Sequence, residues 1–207
     1  TGAVARRLAP LVDRVDAVDF SAPMIETGQQ LPNGDHPNLH WIEGSIEEVA
    51  LQPPYALIVA AGSLHWMDWA VVMPRFRRLL TSQGILAIVW QSETRQPWSS
   101  DLFQLIERYS TNRDYAPYRL VDELVKRQLF RQMGEEHTVP MPFQQSIADY
   151  VESIHSRNGF SRERMPPADA KAFDEAVTNL LAGTYADGIV QLEIVGHVVW
   201  GKPGPTA

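Results

Sequence analysis

Val15-Asp16-Ala17-Val18-Asp19-Phe20-Ser21 reads as a short strand whose last residues carry one carboxylate, Asp19, to the end of a sheet. Just upstream, Thr1-Gly2 opens directly onto a helical pattern over 3–12, with Ala3, Val4, Leu8, Leu11 and Val12 on one face and Arg6 and Arg7 turned away. A glycine at a loop-to-helix junction, a helix, and a strand ending in an acid about 20 residues on make half of a dinucleotide-type binding unit. In that unit the acid accepts hydrogen bonds from ribose hydroxyls. The competing reading is that Asp19 merely caps the next helix together with Ser21.

Downstream the alternation continues. Ser21 is placed to cap a helix over 22–30, which the Gln-Gln-Leu-Pro-Asn-Gly turn ends. Leu39-His40-Trp41-Ile42-Glu43 alternates as a strand, and Gly44-Ser45-Ile46-Glu47-Glu48 turns away from it. Tyr55 to Ala61 is a continuous apolar run, the pattern of a parallel strand covered on both faces. Gly62 to Trp69 forms a loop, then Val72, Met73, Phe76, Leu79 and Leu80 mark a helix that Gln83-Gly84 is expected to end. Ile85 to Trp90 is another buried strand. Strand and helix in strict alternation predict an α/β fold with a doubly wound, mostly parallel sheet.

From about Gln91 the alternation stops. Ser99-Ser100 is positioned to cap a helix carrying Leu102, Leu105, Ile106 and Tyr109, and a second helix is predicted over 120–130. Residues 136–143 read as one extended strand, kept to an edge or an irregular pairing by Pro140 and Pro142. Helices follow over 146–156, with Ser146 and Asp149 in capping-box spacing, and over 168–182; a long strand runs from Gly188 to Trp200. The expected organisation is a Rossmann-like core over 1–92, a mostly helical cap over 93–183, a terminal strand over 184–201 returning antiparallel to the core sheet, and a loose tail over 202–207.

Composition narrows the function class. With 207 residues and 44% hydrophobic content the chain has enough apolar surface for a good core. A net charge of −7 argues against broad binding to nucleic-acid phosphates, which needs a basic face. No run of 18 apolar residues suits a membrane span. Zero cysteines exclude disulfides and thiolate metal sites and fit a reducing compartment, so a cytoplasmic location is expected. The histidines show no metal-ligand spacing, and no metal site is expected.

By Trp90 the order of motifs resembles a class I S-adenosylmethionine-dependent methyltransferase of the small-molecule type, similar to trans-aconitate methyltransferase. Thr1-Gly2 looks like the end of that family's acidic Gly-x-Gly-x-Gly motif, and Asp19-Phe20-Ser21-x-x-Met24 like its second motif. Gly44-Ser45-Ile46-Glu47 stands where the family usually has Gly-Asp-Ala-Glu, and Ala61-Gly62-Ser63-Leu64-His65-Trp66 resembles the post-strand motif of its small-molecule members. The resemblance implies an N-terminally truncated chain: the sheet's first strand and most of the glycine loop would precede Thr1, leaving half of the cofactor's cradle outside it.

What the resemblance implies for the site follows residue by residue. Thr1, Gly2, Asp19, Phe20, Met24, Ser45, Ile46, Ala61, Gly62 and Leu64 would hold S-adenosyl-L-methionine, with Asp19 on the ribose and Phe20, Met24 and Ile46 about the adenine. Ser45 replaces the aspartate that commonly meets the adenine amino group, so that bond lacks charge assistance. His65 is the candidate base, while Trp66, Trp90 and Tyr118 would line the site of a small-molecule methyl acceptor, methylated at oxygen in preference to carbon or nitrogen. Tyr109, Tyr115 and Arg119 are further possible lining groups, and Arg113, Arg119, Arg157 or Arg162 could pair with an anionic substrate. Two other classes compete: a nicotinamide-dependent oxidoreductase, against which stands the lack of a Tyr-x-x-x-Lys pair, and a non-catalytic Rossmann-like binding protein.

Overall fold

The computed structural model describes residues 1–113 and 118–204. Helix α1 (Ala3–Leu8) tightens into a 3-10 turn over Ala9–Leu11 and leads to strand β1 (Val15–Asp19), helix α2 (Ala22–Gln30) and strand β2 (Leu39–Glu43). Strand β3 (Tyr55–Ala61), a 3-10 turn (Leu64–Trp66), helix α3 (Trp69–Leu79) and strand β4 (Leu80–Glu93) complete the alternating part. Then come α4 (Ser99–Tyr109), α5 (Leu120–Lys126), β5 (Phe130–His137), β6 (Met141–Ser146), α6 (Ile147–His155), α7 (Pro167–Ala182) and β7 (Ile189–Pro203). The fold is the expected α/β class: β1 pairs β2 in parallel from Val15↔Leu39 to Asp19↔Glu43, and β3 pairs β4 in parallel from Leu57↔Ile85 to Ala61↔Val89.

The chain forms two compact units. The first unit takes Thr1–Trp90, Arg119–Glu136 and the segment from Val198; the second takes Gln91–Tyr118 and His137–His197. Helix α5 and most of β5 therefore belong with the core. The first unit's apolar centre gathers Leu64, Val72, Met73, Phe76, Leu86, Ile88, Leu124 and Phe130, the α3 stripe at three- and four-residue spacing meeting β4 and α5. The second unit packs Trp98, Tyr150, Ile154, Phe173, Val177, Leu181 and Val190 about α6 and α7, and β6 pairs antiparallel to β7 from Met141↔Ile194 to Ser146↔Ile189.

The feature that decides the site is a break in the sheet of the first unit. Strand order is β1-β2 in one sheet and β3-β4-β7-β5 in another; among the described residues β1 bonds only to β2, and β3 only to β4. Between β1 and β3 lies a cavity of about 560 Å³, lined by all of both strands, by Thr1 to Ala5, Leu8 and Val12, and by Phe76 and Leu79. The consequences reach the neighbouring elements. Strand β3 is not covered on both faces as its sequence suggests, since Leu57 stays 41% exposed. The apolar face of α1 is likewise uncovered: no residue of Ala3–Leu8 is buried, and Leu11 is 77% exposed.

Several local expectations are corrected. The helix over 3–12 keeps α geometry only to Leu8, because Pro10 supplies no N–H to continue the ladder. Ser21 stands at the N-cap of α2 without a side-chain bond. Helix α3 passes straight into β4 at Leu80, and Gly84 lies inside the strand, just before the ladder resumes at Leu57↔Ile85. Helix α4 begins under Trp98, the Ser99 hydroxyl instead accepting the Gln96 N–H at 2.8 Å. The helix over 120–130 stops at Lys126: Gln128 turns left-handed at φ 58°, and Leu129 N–H returns to the Leu124 carbonyl at 2.8 Å. The single strand over 136–143 is two, β5 and β6, broken at 138–140. The Ser146–Asp149 cap forms as expected, Ser146 Oγ accepting the Asp149 N–H at 3.0 Å. The tail is held as far as Gly204: Lys202 Nζ donates to the carbonyls of Ser82 and Gly84 at 2.8 and 2.6 Å, and Gly204 N–H to Leu129 at 2.6 Å.

Candidate functional site

Three chain turns leave the ends of β1, β2 and β3, all in the first unit. In an open α/β sheet this is the rim where ligands bind, because loops there are free to carry function while the strands hold them. Asp19 closes β1. Its Oδ1 accepts the Ser21 N–H at 2.9 Å, so the capping role read from the sequence is present. No second hydrogen bond to this carboxylate is found among the described residues, which leaves Oδ2 for a ligand. Its main-chain carbonyl accepts the Gly44 N–H at 2.9 Å, tying the tip of β1 to the turn after β2.

Phe20 and Met24 flank Asp19 and are 77% and 50% exposed, so their apolar surface is not spent on the core. Ile46 differs, packing partly buried against the first unit's core. Ser45 is half-buried, and its hydroxyl donates to Glu47 Oε2 while accepting the Glu47 N–H at 3.2 Å. The other Glu47 oxygen accepts the Asp68 N–H at 3.1 Å. The Ser45 hydrogen bond, ahead of all other causes, holds the Glu47 carboxyl below its ordinary value. Sequence reading placed Glu47 in a motif but gave it no role; the signal was the hydroxyl-x-carboxylate spacing, which lets the two side chains meet over one turn.

Gly2 adopts φ 62°, at the N-cap of α1, and a Cβ there would stand 2.4 Å from Trp41 Cη2. Thr1 lines the cavity, and its carbonyl accepts from Arg6 Nε at 3.0 Å. Ala61 ends β3 exposed, and Gly62 turns left-handed at φ 61° with no atom within 4 Å of a Cβ position. Leu64 is different: its side chain is 1% exposed in the core, so only its backbone can face a ligand, and its carbonyl already accepts the Trp69 indole N–H at 2.8 Å.

His65 and Trp66 follow on the 3-10 turn, their rings 4.8 Å apart, with Trp66 58% exposed. Desolvation lowers the His65 pKa, by a modest effect for a residue that keeps contact with solvent, and so favours the neutral imidazole. Trp90 is 38% exposed at the last position that β4 contributes to the first unit. Tyr118, 46% exposed, belongs to the second unit, and Tyr115 lies outside the described residues. Tyr109 packs against Phe173 at 5.7 Å.

The arginines considered for an anionic substrate are engaged elsewhere. Arg162 pairs with Glu152 and Asp174, Arg157 with Glu93 at 3.8 Å, and Arg119 with Asp122 at 3.2 Å; Arg113 donates to the carbonyls of Glu107 and Arg108. No group of three or more histidine, cysteine or acidic side chains suited to a metal occurs among the described residues, and no helix there is long and apolar enough to cross a membrane.

Residues 1–84 match a family described as a methyltransferase domain. No curated protein matches the sequence. Among solved structures, a candidate type II methyltransferase from Anaeromyxobacter dehalogenans superposes with a TM-score of 0.62 at 19% identity, over 96% of this chain and 84% of that one. A candidate methyltransferase from Bacillus halodurans gives 0.55 at 16% identity, over 99% and 89%. A candidate sarcosine dimethylglycine methyltransferase from Galdieria sulphuraria gives 0.50 at 17%, over 97% and 75%. At these identities the likenesses establish a shared fold.

Proposed function

We propose that the chain moves a methyl group from S-adenosyl-L-methionine to a small organic acceptor in the cytoplasm, at oxygen in preference to carbon or nitrogen; the match of residues 1–84 to a family described as a methyltransferase domain supports this reading. The observation that carries this is Asp19: a carboxylate at a strand tip with one oxygen satisfied locally at 2.9 Å, beside two exposed apolar side chains. Asp19 Oδ2 would accept from the ribose hydroxyls, Phe20 and Met24 would lie against the adenine with Ile46 behind them, and Ser45 would meet the adenine amino group. Gly2 and Gly62 would let backbone approach the ligand closely, Gly62 in open space. When bound, the cofactor would supply a sulfonium methyl that the acceptor's lone pair attacks, the C–S electron pair leaving with sulfur as S-adenosylhomocysteine; a hydroxyl acceptor also releases its proton, whereas a carboxylate has none to release.

The chain's own contribution to that displacement is positioning and exclusion of water. His65, favoured as the neutral imidazole and following β3, would take the proton of a hydroxyl acceptor, and Trp66 would offer an exposed wall on the same turn. Trp90 is the remaining acceptor-side candidate in the first unit. A carboxylate-bearing acceptor of the kind that the trans-aconitate methyltransferase resemblance suggests is the first class to test.

The open edges of β1 and β3 support one further part of the reading: a strand and a glycine loop preceding Thr1 would fill the cavity and complete the cradle. The deciding experiment is calorimetric titration with S-adenosylhomocysteine, set against NADH, on this chain and on the chain extended upstream of Thr1. Saturable binding of S-adenosylhomocysteine by the extended chain, lost in Asp19→Ala, is the expected result. Preference for NADH, or binding indifferent to Asp19, would overturn the proposal.

A further inference from the structure

Ser45 carries one hydroxyl proton and two lone pairs, and the structure accounts for all but one of these three valences. The proton goes to Glu47 Oε2, and one lone pair takes the Glu47 N–H at 3.2 Å. What Ser45 still offers is a single acceptor site. Glu47 cannot turn away easily to release that proton, because its second oxygen holds the Asp68 N–H at 3.1 Å, and Asp68 in turn caps α3 through the Ala70 N–H at 2.9 Å.

We infer that Glu47 is a specificity-determining residue of the nucleotide site: by committing the Ser45 proton, it makes Ser45 a reader of amino groups and rejects a base with a carbonyl in the same place. The inference rests on the proposed function, in which Ser45 faces the adenine. An exocyclic amine donates into the remaining lone pair. The carbonyl of hypoxanthine sets acceptor against acceptor and leaves both groups unpaired at their contact, which is the costly arrangement. Without its carboxylate partner a serine is indifferent, since its hydroxyl rotates to donate or accept as the ligand requires. Ser45 thus recovers through Glu47 the acceptor-only character that an aspartate has by itself.

The test compares S-adenosylhomocysteine with S-inosylhomocysteine by calorimetric titration of the extended chain, native and as Glu47→Gln and Ser45→Ala. A glutamine keeps an oxygen for the Asp68 N–H and turns its amide NH2 toward Ser45, which frees the serine proton to point outward. The native protein is expected to prefer the adenosyl compound by about tenfold or more. In Glu47→Gln the inosyl compound should gain affinity while the adenosyl compound loses it, bringing the two within about threefold. Ser45→Ala should lose the preference through weaker adenosyl binding alone. If Glu47 only braces the loop, Glu47→Gln weakens both ligands equally and the ratio stays, which overturns the inference while leaving the proposed function intact. A native protein that binds both compounds equally also overturns it. A native protein that binds neither overturns the proposed function, and the inference falls with it.

Discussion

The Tyr55 hydroxyl donates a hydrogen bond to Asp16 Oδ2, joining the foot of β3 to β1 where no backbone ladder connects them. The Asp16 side chain is only 2% exposed, and its other oxygen receives Arg14 Nε and Nη2, both at 2.9 Å. Desolvation first and the Asp16 bond second raise the Tyr55 pKa, as expected for a phenol donating to a buried carboxylate. This one side-chain bond spans a break that strand pairing would otherwise close.

Removing it should therefore be felt in stability. Tyr55→Phe keeps the ring and deletes the donor to Asp16 together with the acceptor of the Gln52 N–H at 3.0 Å, while Asp16 retains Arg14, so a loss of about 1–2 kcal/mol is expected. Urea denaturation followed by tryptophan fluorescence measures it. An unchanged midpoint would mean that the bond contributes nothing across the break.

Two of the left-handed glycines, Gly2 and Gly62, should respond differently to alanine. At Gly62, φ is 61° and nothing lies within 4 Å, so Gly62→Ala carries only the backbone penalty, about 1–2 kcal/mol. At Gly2 the same backbone strain is joined by a Cβ 2.4 Å from the Trp41 ring. That ring is fixed by its N–H bond to the Gly34 carbonyl at 2.8 Å, so it has little room to yield. Gly2→Ala should cost clearly more than Gly62→Ala in the same denaturation assay; equal losses would show that Trp41 gives way.

The lowered pKa of His65 has a definite sign. Its folded form resists protonation, so the stability it contributes is full above the unfolded value of about 6.5 and declines as pH falls toward and through the depressed folded value. The expected outcome is that His65→Asn flattens part of the acid side of the stability curve. If His65 also takes the acceptor's proton, kcat/KM of the native enzyme falls over that same acid range, and the variant loses the limb while its affinity for S-adenosylhomocysteine stays unchanged. A variant that keeps the limb assigns the proton transfer elsewhere.

Filling the cavity should restore the faces that now stand open. A chain extended upstream of Thr1 by a strand-forming segment is expected to protect Leu57, which is 41% exposed, and to stiffen α1. Hydrogen exchange over 3–12 and 55–61 measures this. Protection factors unchanged by the extension would show that the segment does not enter between β1 and β3.

Much of the fold could be read from residue patterns because helix and strand periods in this chain agree with local chemistry. The α2 boundaries, the strand at 39–43 and the Ser146 cap follow from the positions of turn residues and a hydroxyl–carboxylate spacing. The reading failed where tertiary pairing overrides periodicity. Residues 136–143 alternate well enough for one strand, yet their hydrogen bonds go to two, because Pro140 ends one run and β7 offers a separate partner for Met141–Ser146. At the site, Asp19 and Ser45 were visible as motif positions. The direction of the Ser45 proton was not, since only atomic positions show that Glu47 turns back toward it.

Strands β1 and β3 end their sheets with facing backbone edges that lack a neighbour among the described residues, and such edges act as templates. Any extended apolar segment that can donate and accept at a 4.8 Å strand spacing competes for them, whether from the same polypeptide, a second molecule or a short synthetic peptide. Wherever those edges stay open, this means that self-association rising with concentration is the expected outcome. It also means that a matched peptide in excess would act as a chaperone for this chain, keeping it monomeric by occupying the place where copies would otherwise interlock.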